Sequence, residues 1–329
     1  MSSSALIRAL VIVSVCAMAP LGAQTQRLAF VSNEASHDVS VIDLATNHVV
    51  TTIPVAGRAR GIHVSPDGKH VYVATSDDRP TFQGSADAIT IIDVATRKVI
   101  GRHQVGSDPE QFAVTPDGRR LYASNEDGGT ETAIDLRTGK QIATLVVGIE
   151  PEGVAISPDG RLAVVTSETS NTLSVIDIKT NRVVDNLMVD LRPRAAAFSP
   201  NGKRLYVSAE IGGTISVIDV TSRAVLSTIP IDHGEGKPVG IALSPDGRRI
   251  YTVSGRTGTM TVIDASSNRP VGAIPVGKRP WGVAASRDGR FVYTTNGLSN
   301  DVTVIDANTN RIVARIPVGQ RPWGISLMN

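Results

Sequence analysis

From Arg27 onward the chain is written in short runs where apolar residues alternate with small or polar ones, each run ended by Gly, Pro, Asp or Asn. A period of two bounded by turn residues predicts β-strands, and no stretch beyond the first two dozen residues sustains a helical period. Residues 280–318 show the pattern in full. Trp281 to Ser286 is apolar and small, Asp288-Gly289 makes a hairpin turn, and Phe291 to Thr295 is β-branched and aromatic. Asp301 to Ile305 and Ile312 to Val318 then alternate, giving a four-stranded antiparallel unit.

The unit recurs seven times. Each copy is marked by an aspartate closing a β-branched run: Asp43, Asp93, Asp135, Asp177, Asp219, Asp264 and Asp306, spaced 50, 42, 42, 42, 45 and 42 residues apart. The turn glycines Gly68, Gly118, Gly160, Gly202, Gly247 and Gly289 keep the same period, all five tyrosines share one repeat position, and Trp281 and Trp323 share another. A four-stranded sheet cannot bury both faces alone, so successive copies must stack. The last copy stops after its first strand at Ile325 to Asn329, while Arg27 to Asn33 matches a second strand with Phe30 at the tyrosine position. The two ends together complete one unit. The prediction is an all-β, seven-bladed β-propeller of four-stranded antiparallel blades, a single domain over residues 24–329, its ring closed by pairing the C-terminal strand with the N-terminal strands.

Residues 1–23 carry Arg8, an apolar run from Ala9 to Ala19 and small residues ending at Ala23, the pattern of a secretory signal peptide. The run is too short to cross a bilayer comfortably, so a periplasmic or secreted protein with no membrane span is expected. The single cysteine, Cys16, falls in the leader, which removes disulfides, CxxCH haem attachment and thiolate metal sites from the mature chain. Lys plus Arg (33) nearly balances Asp plus Glu (31), which argues against a broad polyanion-binding surface.

Tyr293-Thr294-Thr295-Asn296, the Val-Ile-Asp strands and Ile316-Pro317-Val318-Gly319 followed by Pro322-Trp323-Gly324 resemble the YVTN β-propeller repeat. Seven copies behind a leader are similar to the exported propellers associated with pyrroloquinoline quinone (PQQ) dependent alcohol catabolism. The resemblance implies an accessory protein that docks a dehydrogenase, a cytochrome or a transport component, or that binds a small ligand. PQQ-containing dehydrogenases usually have eight blades and Trp-rich docking repeats; with seven repeats and two tryptophans, no bound cofactor is expected.

The recurring aspartates and Asp-Gly turns read as structural, a carboxylate accepting backbone N–H groups in a turn and a glycine meeting a left-handed backbone. His37, His48, His63, His70, His103 and His233 form no metal-binding spacing, and register scatters them over different strands. Function is expected where length varies, at the loops after the second and fourth strands, which share one end of the ring. There, one position beside the Gly of each inner strand is filled by Arg60, Glu110, Glu152, Arg194, Val239, Trp281 and Trp323, with Arg279 and Arg321 two residues ahead of the tryptophans. This predicts a mouth with an acidic sector, Glu110 and Glu152, and a cationic aromatic sector, Arg60, Arg194, Arg279, Arg321, Trp281 and Trp323.

Three classes of function fit. A non-enzymatic binding or scaffold module is the leading expectation, because no linear catalytic motif is present. The alternative is a lactonase-like hydrolase or lyase using Glu110 and Glu152 as general acid and base, with or without a divalent metal, although no histidine is placed nearby by register. A single-stranded nucleic-acid binder stacking bases on Trp281 and Trp323 comes last, since neither the charge balance nor export favours it.

Overall fold

The computed structural model describes residues 27–77 and 84–328. The leader with Cys16 and the centre of the insertion between Ser76 and Asp87 lie outside the described residues, as does the side chain of His233. Seven four-stranded sheets are present, each ordered from an inner to an outer strand. The inner strands, numbered here as blades 1 to 7, are Arg58–Val64, Pro109–Val114, Pro151–Ile156, Pro193–Phe198, Pro238–Leu243, Pro280–Ala285 and Pro322–Met328. Each packs on the next and blade 7 packs on blade 1, so the ring is closed.

Closure follows the expected route. Pro322–Met328 pairs antiparallel with Leu28–Asn33, with Phe30 opposite Ser326 and Val31 opposite Ile325, and Asp38–Asp43 and His48–Pro54 complete the blade. Middle strands are covered on both faces and read as continuous buried runs, whereas outer strands such as Arg182–Met188 alternate between exposed and half-buried. The core therefore lies between blades. Tyr251, Met260 and Val262 of blade 5, for example, pack with Val292 and Ile305 of blade 6. Burying one such aliphatic or aromatic side chain contributes on the order of 2 kcal/mol.

The recurring turns are held as their composition dictates. Asp264 accepts N–H bonds from Ser266 at 3.1 Å and Ser267 at 2.8 Å, and Asp306 accepts from Asn308 at 3.0 Å and Thr309 at 2.8 Å. The hydroxyl and amide groups of Ser266 and Ser267 hold the Asp264 carboxyl down at about 2. Gly289, at φ 68°, supplies the left-handed residue of its hairpin.

A second repeated device ties the blades together at the mouth. The residue two after the tyrosine position is Ser32, Ser124, Thr166, Ser208 or Thr295 in five blades. In each, the hydroxyl donates to the main-chain carbonyl of the mouth residue on the following blade: Arg60 (2.5 Å), Glu152 (2.7 Å), Arg194 (3.1 Å), Val239 (2.6 Å) and Trp323 (2.7 Å). The other two blades carry Ala74 and Val253 there. One blade thus sets the height and angle of the next blade's mouth side chain.

Candidate functional site

All eight side chains singled out from the sequence, Arg60, Glu110, Glu152, Arg194, Arg279, Trp281, Arg321 and Trp323, line a single cavity of about 450 Å³ at one end of the ring. Val239, the remaining mouth position, lines the tunnel below it. The residue two before the mouth position takes a left-handed backbone in five blades, at Asp108, Glu150, Arg192, Arg279 and Arg321. All five of these carbonyls accept an N–H from the residue that follows the same blade's second strand: Glu126, Glu168, Glu210, Gly297 and Glu34 donate to Asp108, Glu150, Arg192, Arg279 and Arg321 at 2.8–3.0 Å. These five blades therefore each offer two linked positions to the mouth.

The sequence reading missed the second of these positions. It is acidic in five blades, as Glu34, Asp77, Glu126, Glu168 and Glu210, and glycine in blades 5 and 6, as Gly255 and Gly297. The register that found the tryptophans also finds these acids.

Their presence changes the charge map. Arg60 and Arg194 do not belong to a cationic sector, because each sits inside a carboxylate cluster. Arg60 contacts Glu110 and lies 3.2 Å from Glu34, 3.6 Å from Glu126 and 3.7 Å from Asp108, while Arg58 reaches Asp108 at 2.7 Å. Arg194, only 8% exposed, contacts Glu152 and Glu168 and lies 3.1 Å from Glu210; Arg192 reaches Glu168 at 2.7 Å. Glu150 stays on the exposed rim, bonded by Thr169. Asp108, Glu110 and Glu126 hold oxygens within 4.8 Å of one another, a spacing a metal ion could use, yet the Arg60 guanidinium already supplies a cation to the same three carboxyls.

The remaining sector is aromatic and basic. Trp281 and Trp323 meet with centroids 6.0 Å apart at 47°, and the guanidinium carbons of Arg194 and Arg279 lie 4.9 Å and 5.1 Å from the Trp281 ring. Arg194 reaches across blade 5 because Val239 is small. Among the described residues neither Arg279 nor Arg321 has a carboxylate partner, and the buried indole Nε1–H of Trp281 has no acceptor.

Burial without full compensation shapes the titration of the acids. Burial raises Glu126 to about 7, its pull opposed mainly by Arg60 and assisted by Glu152 and Asp108. Burial likewise raises Glu152, with Arg194, Arg60 and Arg192 pulling it back. A carboxyl near 7 in a cavity wall can take a proton from water and return it at neutral pH. The expectation that no histidine stands near is corrected as well: His63 lines the tunnel directly beneath, where burial pushes its imidazole down to about 4.

Comparison with known proteins bears on the same cavity. The family profile described as "Lactonase, 7-bladed beta-propeller" matches residues 22–142 and 186–313, more than half of the chain. Among solved structures, hydrazine synthase of Kuenenia stuttgartiensis is similar at 24% identity, TM-score 0.77, covering 84% of this chain and 91% of that one. A candidate 6-phosphogluconolactonase of Bacteroides fragilis gives 18%, 0.77, 94% and 99%, and the dihydro-haem d1 dehydrogenase NirN, in complex with DHE, 19%, 0.67, 93% and 76%. At these identities the structural likeness is one of fold. No curated protein matches the chain. The family match overturns the expectation of a non-enzymatic scaffold. That expectation rested on the lack of a linear motif, and here the reactive groups come from separate blades, a distribution that no linear motif records.

Proposed function

Since the chain belongs to the seven-bladed lactonase β-propeller family, we propose that it hydrolyses a lactone in the mouth cavity, with Glu126 as the proton-transferring group. The observation that carries this reading is the Glu126 carboxyl, raised to about 7 in the wall of a cavity whose far side holds arginines with no acid partner. The lactone ring lies against Trp281 and Trp323, whose faces suit an apolar ring edge, and the free indole N–H of Trp281 donates to a ring oxygen. Ionised Glu126 takes a proton from water as the water oxygen bonds to the lactone carbonyl carbon. Arg279 and Arg321 stabilise the resulting oxyanion. The ring C–O bond then breaks, the leaving alkoxide recovers the proton from Glu126, and the product is a hydroxy acid, which releases its proton to solvent and leaves a carboxylate that the same arginines receive.

The leader-like residues 1–23 support placing this activity in the periplasm or outside the cell. The finer resemblance to PQQ-associated YVTN propellers supports a source for the substrate, because oxidation of a cyclic hemiacetal by an exported dehydrogenase yields a lactone. Titrating released acid across a panel of sugar and alkyl lactones tests the reading. Turnover should appear in the wild type and fall about 100-fold or more in Glu126→Gln. A wild type inactive on the whole panel, or a fully active Glu126→Gln, would overturn it.

A further inference from the structure

Beneath the mouth the ring encloses a tunnel of about 160 Å³. Glu152, Arg194, Trp281 and Trp323 line both spaces, so the tunnel opens from the floor of the cavity. Two positions of the inner strands that surround it are small by rule. The position after the mouth residue is Gly61, Gly153, Ala195, Gly240, Gly282 or Gly324, and the position two further on is Ala113, Ala155, Ala197, Ala242, Ala284 or Ser326. The rule is broken once at each position, by Gln111 and by His63, and the two exceptions stand on adjoining blades.

Both exceptions are accommodated by their neighbours. Gln111 lies over Gly61, where an added Cβ would come within 2.9 Å of the Gln111 Oε1, so glycine there makes room for the amide. His63 packs edge-on against Phe112 with centroids 5.1 Å apart. In the neutral imidazole one ring nitrogen is a donor and the other an acceptor. The remaining wall is apolar or glycine, from Ile62, Val154, Val239, Ile241, Val283 and Ile325, and among the described residues its formal charges are the mutually paired Glu152 and Arg194 at the top.

We infer that the tunnel is a second subsite for the ligand bound at the mouth, and that His63 and Gln111 select a hydroxyl at the end of the ligand's side chain. A hydroxyl matches the pair: its proton goes to the acceptor imidazole nitrogen and its oxygen accepts from the Gln111 amide. An ionic group would be stripped of water with no counter-charge to meet it. A methyl would leave two polar side chains unpaired. The inference rests on the hydrolase reading for the lactone at the mouth, but it concerns binding and is read separately.

Both tryptophans of the chain line this site, so intrinsic fluorescence reports its occupancy. The probes are a δ-lactone bearing a hydroxypropyl chain and its butyl isostere, titrated into Glu126→Gln to prevent turnover, with and without His63→Ala and Gln111→Gly. These two changes restore what other blades carry at the same positions, and unchanged circular dichroism and melting verify the fold. The hydroxypropyl probe should bind about tenfold more tightly than the butyl probe, and the difference should vanish in the triple variant with butyl affinity unchanged. Equal binding of the two probes, a preference that survives the triple variant, or no fluorescence response to the hydroxypropyl probe would overturn the subsite. Selective binding in a protein whose wild type never opens the ring would sink the hydrolase reading and leave the subsite standing.

Discussion

At the scale of single residues, the repeat serves as its own control. Glu131 stands where the other blades have Val39, Ile89, Leu173, Ile215, Met260 and Val302. It is fully buried, neither carboxylate oxygen has a hydrogen-bond partner, and burial raises its pKa well above the ordinary range. Such a carboxyl is held protonated in the folded state and ionises in the unfolded one. The folded protein then binds the extra proton, so stability falls as pH rises above the unfolded value. Glu131→Leu should raise stability by about 2 kcal/mol at neutral pH, and the gain, measured by urea unfolding, should shrink toward pH 4. Arg194 has the opposite character: Arg194→Ala strands the buried Glu152, leaves Glu168 to Arg192 alone, and should cost about 3–5 kcal/mol at pH 7. Because burial raises Glu152, part of that loss should return as pH is lowered and the carboxyls protonate. For Glu126, raised to about 7, activity carried by the ionised form should climb as pH rises through 7 and level off above it, a profile that rate measurements across pH would follow.

At the scale of strands and turns, much was legible because a period of two and an Asp-Gly turn have few other readings. The expected strands Phe291 to Thr295 and Asp301 to Ile305 match Phe291–Asn296 and Asp301–Asp306 to within a residue. The mouth positions were legible from register alone. Which of them pair was not: Arg60 and Arg194 looked like uncompensated cations until the acids after each second strand were placed beside them, although Arg194 does lie over Trp281. Glu126 and Glu168 in a sequence look like any solvated loop acid, and their burial depends on the neighbouring blade. The hydroxyl tie between blades was equally hidden, since Ser and Thr are common in strands. Thr295→Val removes the donor to the Trp323 carbonyl while keeping shape, and should cost about 1–2 kcal/mol. It should also alter Trp323 emission, whereas Val253→Ala, at the corresponding apolar position on blade 5, should leave emission unchanged.

At the scale of the whole molecule, seven-fold repetition fixes the frame and departures from it carry the chemistry. The acidic clusters occupy blades 1 to 4 and blade 7, the tryptophans blades 6 and 7, and the tunnel exceptions blades 1 and 2, so the cavity has a definite orientation around a nearly symmetric ring. Removing residues 322–329 takes away the inner strand of blade 7 together with Trp323. The truncated ring should expose the edge of Leu28–Asn33 and associate, which light scattering would detect.

The pairing of Leu28 with Met328 sets the two ends of the described residues side by side, where every other blade has a hairpin between its first and second strands. A short Asp-Gly linker could therefore join them, and the chain could be opened instead at the hairpin around Gly160 or Gly202. Such a circularly permuted protein would keep every cavity side chain in place while placing its new termini on the opposite end of the ring.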